Sequence, residues 1–316
     1  MQNVTKKLQQ VFKYIGYFIF KIFYGKINNS IDCDNNEKIT VNEVILEKKI
    51  KYKIYRVESS RLYTDTIHDT AIILDNNIVD GPSFQIRNNN FVAINNNIVF
   101  SKGTPNVLKN LNGNVLSLLS GGGANLNYWH WLFDVLPRIK LFSDVSKINC
   151  IDYFLVPNTK EKFQLETLSA LKIEKNKIIS SQLFRPIAAD SITSTDHPYV
   201  IDGDSTKGIQ NIPSWIFNWL NFSFTQNISL EKSGLPRKFY IDRSDSKSNT
   251  KDLRKIINED EVKEVFIKKN YEVLKLTDLS FIDQVKLFYN ADAIAGLHGS
   301  GKTTLANELG PMLSAK

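Results

Sequence analysis

The stretch NYWHWLFDVLPRI, Asn127 to Ile139, crowds more reactive side chains together than any other part of the chain. On a helix, His130, Asp134 and Arg138 recur at i, i+4 and i+8, so a base, an acid and a fixed cation fall along one side. At a cleft, the imidazole or the carboxylate can take a proton from an attacking hydroxyl. The arginine can hold a phosphate through its two-pronged donor geometry. The same spacing also describes an amphipathic core helix with a solvated polar stripe, packed through Trp129, Trp131 and Phe133. Spacing alone leaves both readings open.

A second stretch, GLHGSGKTT, lies near the C-terminus. Gly296 to Thr303 fits the phosphate-loop pattern G-x-x-x-x-G-K-[ST], with a strand-like run before it and a helix-like run after it. Such a turn points backbone N–H groups and the positive end of a helix at a phosphate. A working NTPase also needs an aspartate for Mg²⁺ and a positioned nucleophile, ordinarily downstream of the loop. Here the chain ends at Lys316, so a phosphate-loop ATP- or GTP-binding kinase-like protein, or a fragment of one in a fusion, stands as an alternative.

A third group lies in YIDRSDSKSNTKDLRKIINEDE. Arg243 follows a strand at its carboxyl end, where anionic ligands sit in open α/β sheets, and Arg254, Asn258 and Glu259 are placed to bracket a nucleotide or orient Arg243. Surface salt bridging would use the same residues. Asp202-Gly203-Asp204 resembles the Asp-x-Asp metal site of some sugar transferases, and Asp-Gly is equally an ordinary turn. No residue set is assigned as a metal site, no cofactor is required, and a divalent ion is left unspecified.

These groups need elements to hold them. From about Val44 to Phe100, short alternating apolar runs with Asn and Gly breaks predict a β-rich region. NVLSLLS (Asn114 to Ser120) reads as a buried strand, GGGA as a loop, and NYWHWLFDVLPRIKLF as a helix that tolerates or is kinked by Pro137. IDYFLVP, EKFQLETLSALKI and NKIISS then read as strand, helix and strand. After a loop-rich connection, Asn227 to Arg237, the series KFYIDR, NEDEVKEVFIKKN, YEVLKL, DLSFIDQVKLFYNA and DAIAGL alternates strand and helix. This predicts an α/β protein with parallel, helix-covered sheets in two Rossmann-like halves.

Composition narrows the class. The chain has 316 residues, 42% hydrophobic and 23% charged, which suits one large or two ordinary globular domains. A net charge of +7 favours anionic partners without choosing among them. Cys33 and Cys150 are the two cysteines, far apart and without metal-ligand spacing, so neither a disulfide framework nor a zinc site is supported and a reducing, cytoplasmic setting is expected.

The N-terminal run VFKYIGYFIFKIFYG is apolar but interrupted by Lys13 and Lys21, and is too short for a spanning helix, which needs ~20 mostly apolar residues. On a helical wheel Lys6, Lys7, Lys13 and Lys21 fall within an arc of roughly 120°, with Phe, Ile and Val mostly opposite. That pattern suits a helix lying on an anionic membrane face, and suits equally a helix packed on its own protein with a solvated lysine face.

NYWHWLFDVLPRI, followed by KFYIDRSDS, RKIINEDEV, LSFIDQVKLF and GLHGSG in that order, resembles the motif series of glycosyltransferase family 61, which includes bacterial capsular polysaccharide biosynthesis enzymes. The resemblance spans roughly Leu118 to Gly301. It implies two Rossmann-like domains in a GT-B-like arrangement and inverting transfer of a sugar from a nucleotide-sugar donor to a glycan or lipid-linked glycan acceptor, with no nucleic acid partner expected. It places Asp134 or His130 as the base on the acceptor side, with Arg138 positioning substrate. On the donor side it places Arg243, His298, Gly299, Ser300 and Gly301 at motif positions, with Lys302 and Thr303 beside them at the phosphate.

The implied organisation is an N-terminal helix and membrane-surface anchor at 1–43, an acceptor-side β-rich and Rossmann-like domain at 44–226, and a donor-side Rossmann-like domain at 235–316. Where the family continues Leu-Thr-Asn after the glycine turn, this chain has Lys302, Thr303 and Thr304. The donor domain is therefore expected to be incomplete, through truncation, a frameshift or a fusion. An inactive, membrane-associated binding protein is the second alternative.

Overall fold

The computed structural model describes residues 2–34, 36–47, 50–66, 68–119, 126–226, 234–244 and 256–297. Arg254, His298, Gly299, Ser300, Gly301, Lys302 and Thr303, the GGGA loop and most of the Asn227 to Arg237 connection lie outside the described residues. The chain divides into two compact units. The first is Met1–Leu126, His130–Lys160 and Lys175–Pro213, and the second is Asn127–Trp129, Glu161–Glu174 and Ser214–Lys316.

The first unit opens with α1 (Gln2–Tyr24), which ends at Gly25 in a left-handed conformation, φ +81°, that glycine adopts without penalty. The strands β1 (Ser30–Ile31), β2 (Ile39–Leu46), β3 (Ile50–Thr64), β4 (Asp69–Leu74), β5 (Asn77–Val79), β6 (Phe84–Arg87) and β7 (Asn90–Phe91) form its β-rich part. The Asn-rich runs serve as turns and caps. Asp75 and Asn76 turn β4 into β5, Asn88 and Asn89 turn β6 into β7, and all four have positive φ, as tight hairpin turns require. Asn97 caps the short helix α2 (Ile98–Lys102) by accepting from the Val99 N–H at 3.2 Å.

This region is continuous with the α/β part. The 15-residue β3 pairs with β2 along its first half and with β4 along its second, and its other edge pairs antiparallel with β11 (Pro186–Thr195). From β11 the pairing turns parallel, through β8 (Lys109–Ser117) and β9 (Tyr153–Val156) to β10 (Ile178–Ser180). The described residues thus build one mixed eleven-stranded sheet. β11 is its seam: nearly every residue is buried, as a strand covered on both faces requires.

The expected helix over NYWHWLFDVLPRIKLF is not one regular helix. A single turn, α3 (Tyr128–His130), leads into a π-helical turn at Trp131–Val135, and a regular helix, α4 (Pro137–Ser143), follows. The Leu136 N–H reaches back five residues to the Trp131 carbonyl at 3.1 Å. Pro137 has no N–H and its ring would strike the carbonyl four residues earlier, so the wider turn immediately before it removes the clash. α4 packs on β11 and β3.

The second unit contains α5 (Lys162–Ala170) and α7 (Ser214–Thr225), separated in sequence by the short α6 (Ser205–Gln210) of the first unit. β12 (Lys238–Ile241), α8 (Glu259–Lys268), β13 (Glu272–Leu274), α9 (Phe281–Tyr289) and β14 (Ala293–Gly296) complete it. The strands pair in the order β13-β12-β14, all parallel, which is the βαβαβ half of a doubly wound fold. Phe281 stacks edge-on against Phe224, their centroids 4.7 Å apart, and Phe288 against Phe239 at 5.5 Å, so α9 joins α7 and β12 in one core. The alternation read from the sequence holds element by element, and the class is α/β.

Candidate active site

At the carboxyl end of β11 the chain continues as Asp196-His197-Pro198-Tyr199. Ligands gather at such strand ends in α/β sheets. Because β3 runs antiparallel to β11, its early residues lie at this end and anchor the turn. The Lys53 N–H donates to Asp196 at 2.7 Å, the Tyr55 hydroxyl to Asp196 at 3.1 Å and the Tyr52 hydroxyl to the Pro198 carbonyl at 2.9 Å.

The π-helical turn brings Asp134 against this segment. Its carboxylate is almost fully buried and accepts on both oxygens: Oδ2 from His130 Nδ1 at 2.9 Å, Oδ1 from the Tyr199 hydroxyl at 2.6 Å. His197 Nε2 stands 3.8 Å from Oδ2, beyond hydrogen-bond distance. Burial alone would raise the Asp134 carboxyl. The hydrogen bond and charge of His130, with the His197 Nε2–H beside the carboxylate adding to them, overcome that and hold it well below the usual carboxylate range. Asp134 is therefore an anion at any working pH and a poor proton acceptor.

The two histidines differ. His197 is buried, and its Nδ1 faces the backbone N–H groups of Val200 at 3.2 Å and Tyr199 at 3.4 Å, so Nδ1 is the acceptor and Nε2 carries the hydrogen. Desolvation pushes its pKa down, and nearby Arg138 adds to that, so His197 stays neutral. His130 keeps 28% of its side chain exposed. Desolvation works against its charged form, but the hydrogen bond and charge of Asp134 outweigh it and raise its pKa above the ordinary histidine value. With Nδ1–H committed to Asp134, a neutral His130 carries its lone pair on Nε2. This is a carboxylate-oriented imidazole, the arrangement that general bases share across unrelated folds.

Arg138 is held by the backbone around it. It is fully buried. Nε donates to the Asp134 carbonyl at 3.0 Å, and one terminal nitrogen to the Thr195 carbonyl at 2.7 Å and Thr195 Oγ1 at 3.2 Å. Its guanidinium lies 5.3 Å from the Phe84 ring centroid. Desolvation lowers its pKa to about 10, still high enough to keep the charge at neutral pH. Arg138, expected from the sequence to position substrate, is fully buried and ties the π-helical turn to the end of β11. Of the three aromatic residues that the core-helix reading packs inside, Trp131 and Phe133 are buried and Trp129 is half-buried.

In the second unit, Arg243 follows β12 at its carboxyl end, partly buried. Asp242 beside it accepts from the Ser244 N–H at 2.8 Å and pairs with Lys263 at 3.1 Å. Glu259 accepts from the Tyr240 hydroxyl at 3.1 Å, and exposed Asn258 donates to Glu261 at 3.0 Å. Both therefore brace α8 and β12. Gly296, φ +149°, pairs with Ile241, and a Cβ there would press on the Ile241 carbonyl and Cβ at 3.2 Å, so glycine is needed where β14 enters the turn.

Asp204 caps α6, accepting from the Thr206 N–H at 2.9 Å and the Lys207 N–H at 3.1 Å, with Gly203 at φ +77°. The Asp-Gly-Asp stretch is a turn and cap. Among the described residues no group of three or more His, Cys, Asp or Glu side chains is placed to hold a metal ion.

The structural reading missed by the sequence is His197 and Tyr199. The available signal was an Asp-His-Pro-Tyr run directly after a strand.

The fold is α/β, with a parallel βαβαβ unit in one part and, in the other, an imidazole held by a buried carboxylate at a strand end. The family is glycosyltransferase 61: its model matches residues 128–307, more than half the chain, so the chain belongs to this family and is a glycosyltransferase. The matched range takes in both the His130 segment and Gly296 to Thr303. No curated protein matches the chain.

Proposed function

We propose that this glycosyltransferase moves a sugar from a nucleotide-sugar donor to a hydroxyl of a glycan or lipid-linked glycan acceptor, with inversion, in assembly of a capsule-type bacterial polysaccharide. The observation that carries the reading is His130, oriented by a buried Asp134 and partly open to solvent.

In the step, the acceptor O–H gives its proton to His130 Nε2 as its oxygen bonds to the anomeric carbon of the donor. The bond from that carbon to the diphosphate oxygen breaks, and the nucleoside diphosphate leaves with the electron pair. One displacement inverts the anomeric centre. Asp134 stabilises the imidazolium that forms and does not itself take the proton. The diphosphate is assigned to the carboxyl end of β12 and β14, at Arg243 and the glycine-rich sequence that follows Gly296, with His298 and Lys302 supplying charge. The two units would act as the halves of a GT-B-like enzyme, one holding the acceptor and the other the donor.

The test is a panel of nucleotide sugars and ATP, screened by thermal shift and by release of nucleoside diphosphate, with the anomeric configuration of the product read by NMR. Stabilisation by a nucleotide sugar and an inverted linkage support the proposal. A shift with ATP alone, or a retained configuration, overturns it.

A further inference from the structure

The described part of α1 turns its apolar face away from the protein. Phe12, Phe18, Ile22 and Phe23 are 66–75% exposed, and Leu8, Val11, Ile15 and Ile19 on the same face 43–54%. At 100° per residue these eight positions cover about 140° of the helix, a continuous stripe along its length. The opposite side is fastened to the body. Lys21 donates to the Ser101 carbonyl at 2.6 Å, Lys102 lies over the Tyr17 ring, and the Tyr24 hydroxyl accepts from the Leu108 N–H at 3.0 Å. Of the two readings of this helix, packing of its apolar face on its own protein does not hold among the described residues. Among the described residues Tyr17, Lys21 and Tyr24 meet the protein, Lys6, Lys13 and Tyr14 are exposed, and the apolar side is open.

No helix among the described residues is long and apolar enough to cross a membrane. A stripe of this kind on a helix clamped from behind fits the interface plane of a bilayer. Charge selects the occupant. The first 31 residues contain Lys6, Lys7, Lys13, Lys21 and Lys26 and no acid before Asp32. A second copy docking face to face would bring like charges together, whereas anionic headgroups complement them.

The segment bonded to Tyr24 adds a second feature. An open pocket of about 350 Å³ is lined by Val107, Leu108, Lys109, Leu183, Phe184 and Arg185. Val107 and Leu183 are 77% and 75% exposed, and the Lys109 ammonium sits 5.4 Å from the Phe184 ring centroid. Two cations beside two protruding apolar side chains suit a lipid phosphate at the headgroup level.

We infer that α1 and the adjoining Val107 to Lys109 segment form a docking surface for an anionic membrane, with α1 lying in the interface and Lys109 and Arg185 meeting headgroup phosphate. This surface is separate from the transfer chemistry and stands or falls without it.

The full chain is floated with phosphatidylcholine vesicles with and without 30% phosphatidylglycerol. Wild type is expected to float with anionic vesicles and remain behind with neutral ones. The triple variant F12S/F18S/F23S and the double variant K6E/K13E alter only exposed side chains, so each should keep the wild-type circular dichroism and lose at least tenfold of the bound fraction. Lys109→Ala should weaken binding to anionic vesicles less than either. Equal flotation with neutral and anionic vesicles, or both folded variants floating like wild type, overturns the inference. So does a dimer in light scattering that dissociates in F12S/F18S/F23S without any vesicle binding, since a second copy then covers the face.

Discussion

Replacing Asp134 by Asn keeps shape and volume and removes the charge, and its consequence follows from two hydrogen bonds. In the native site the carboxylate accepts from Tyr199 at 2.6 Å and from His130 at 2.9 Å. An amide has one accepting oxygen. If that oxygen turns to Tyr199, the amide NH₂ faces His130 Nδ1, which must then accept and shift its hydrogen to Nε2, the wrong tautomer for a base. If it turns to His130, the Tyr199 hydroxyl faces an NH₂ group. The positioned base is worth ~10²–10⁴ in rate, so kcat should fall by that factor, roughly 3–5 kcal/mol in the barrier.

The pH profile adds a sign. His130 acts as a base only when neutral, and Asp134 raises its pKa, so wild-type activity should fall as pH drops through a value above the ordinary histidine value of about 6.5. In D134N the raising charge is gone and burial remains, so the residual activity should have its acid limb moved down. The assay is release of nucleoside diphosphate in the presence of acceptor, from pH 5 to 9, with donor KM measured alongside. KM should stay within about twofold, because the change acts on the transition state. A folded D134N with kcat within about threefold of wild type, or with an unshifted acid limb, refutes the reasoning.

Arg138→Ala should destabilise the fold by ~3–5 kcal/mol in urea denaturation, because it empties a fully buried site and strips the charge partner from a buried network. Unchanged stability with a raised donor KM would instead support phosphate binding by Arg138. Tyr199→Phe leaves one buried Asp134 oxygen short of a donor and should cost ~1–3 kcal/mol of stability, again by urea denaturation, with a smaller loss of kcat than D134N. His197 has its folded pKa below its unfolded one, so the unfolded chain takes up the proton first and stability falls as pH drops below about 6.5. The fall in Tm between pH 7 and pH 5 should therefore shrink in H197Q, and an undiminished fall would contradict a neutral His197.

Local pattern carried most of the fold. The alternation from KFYIDR to DAIAGL was legible because each element is short, amphipathic and bounded by caps such as Ser280, whose side chain accepts from the Asp283 N–H. Joining the β-rich region to the α/β part was not legible, since it depends on the long-range pairing of β3 with β11, between positions over 120 residues apart. His130 and Asp134 were legible from i, i+4 spacing, which the π-helical turn preserves as a contact. Their division of labour was not. It arises from burial of Asp134 and from Tyr199 and His197, which approach from a different strand end. The burial of Arg138 was not legible for the same reason: spacing places a side chain on a helix face, and only packing decides whether that face meets solvent or strand.

The proposed role of His130 is that of the base in a nucleotide-sugar transferase. The measurement that bears on it most directly compares wild type with His130→Ala for donor binding by calorimetry and for acceptor-dependent release of nucleoside diphosphate. Donor affinity should be unchanged and kcat should fall by ~10²–10⁴. Turnover within about threefold of wild type in a folded His130→Ala protein would contradict it.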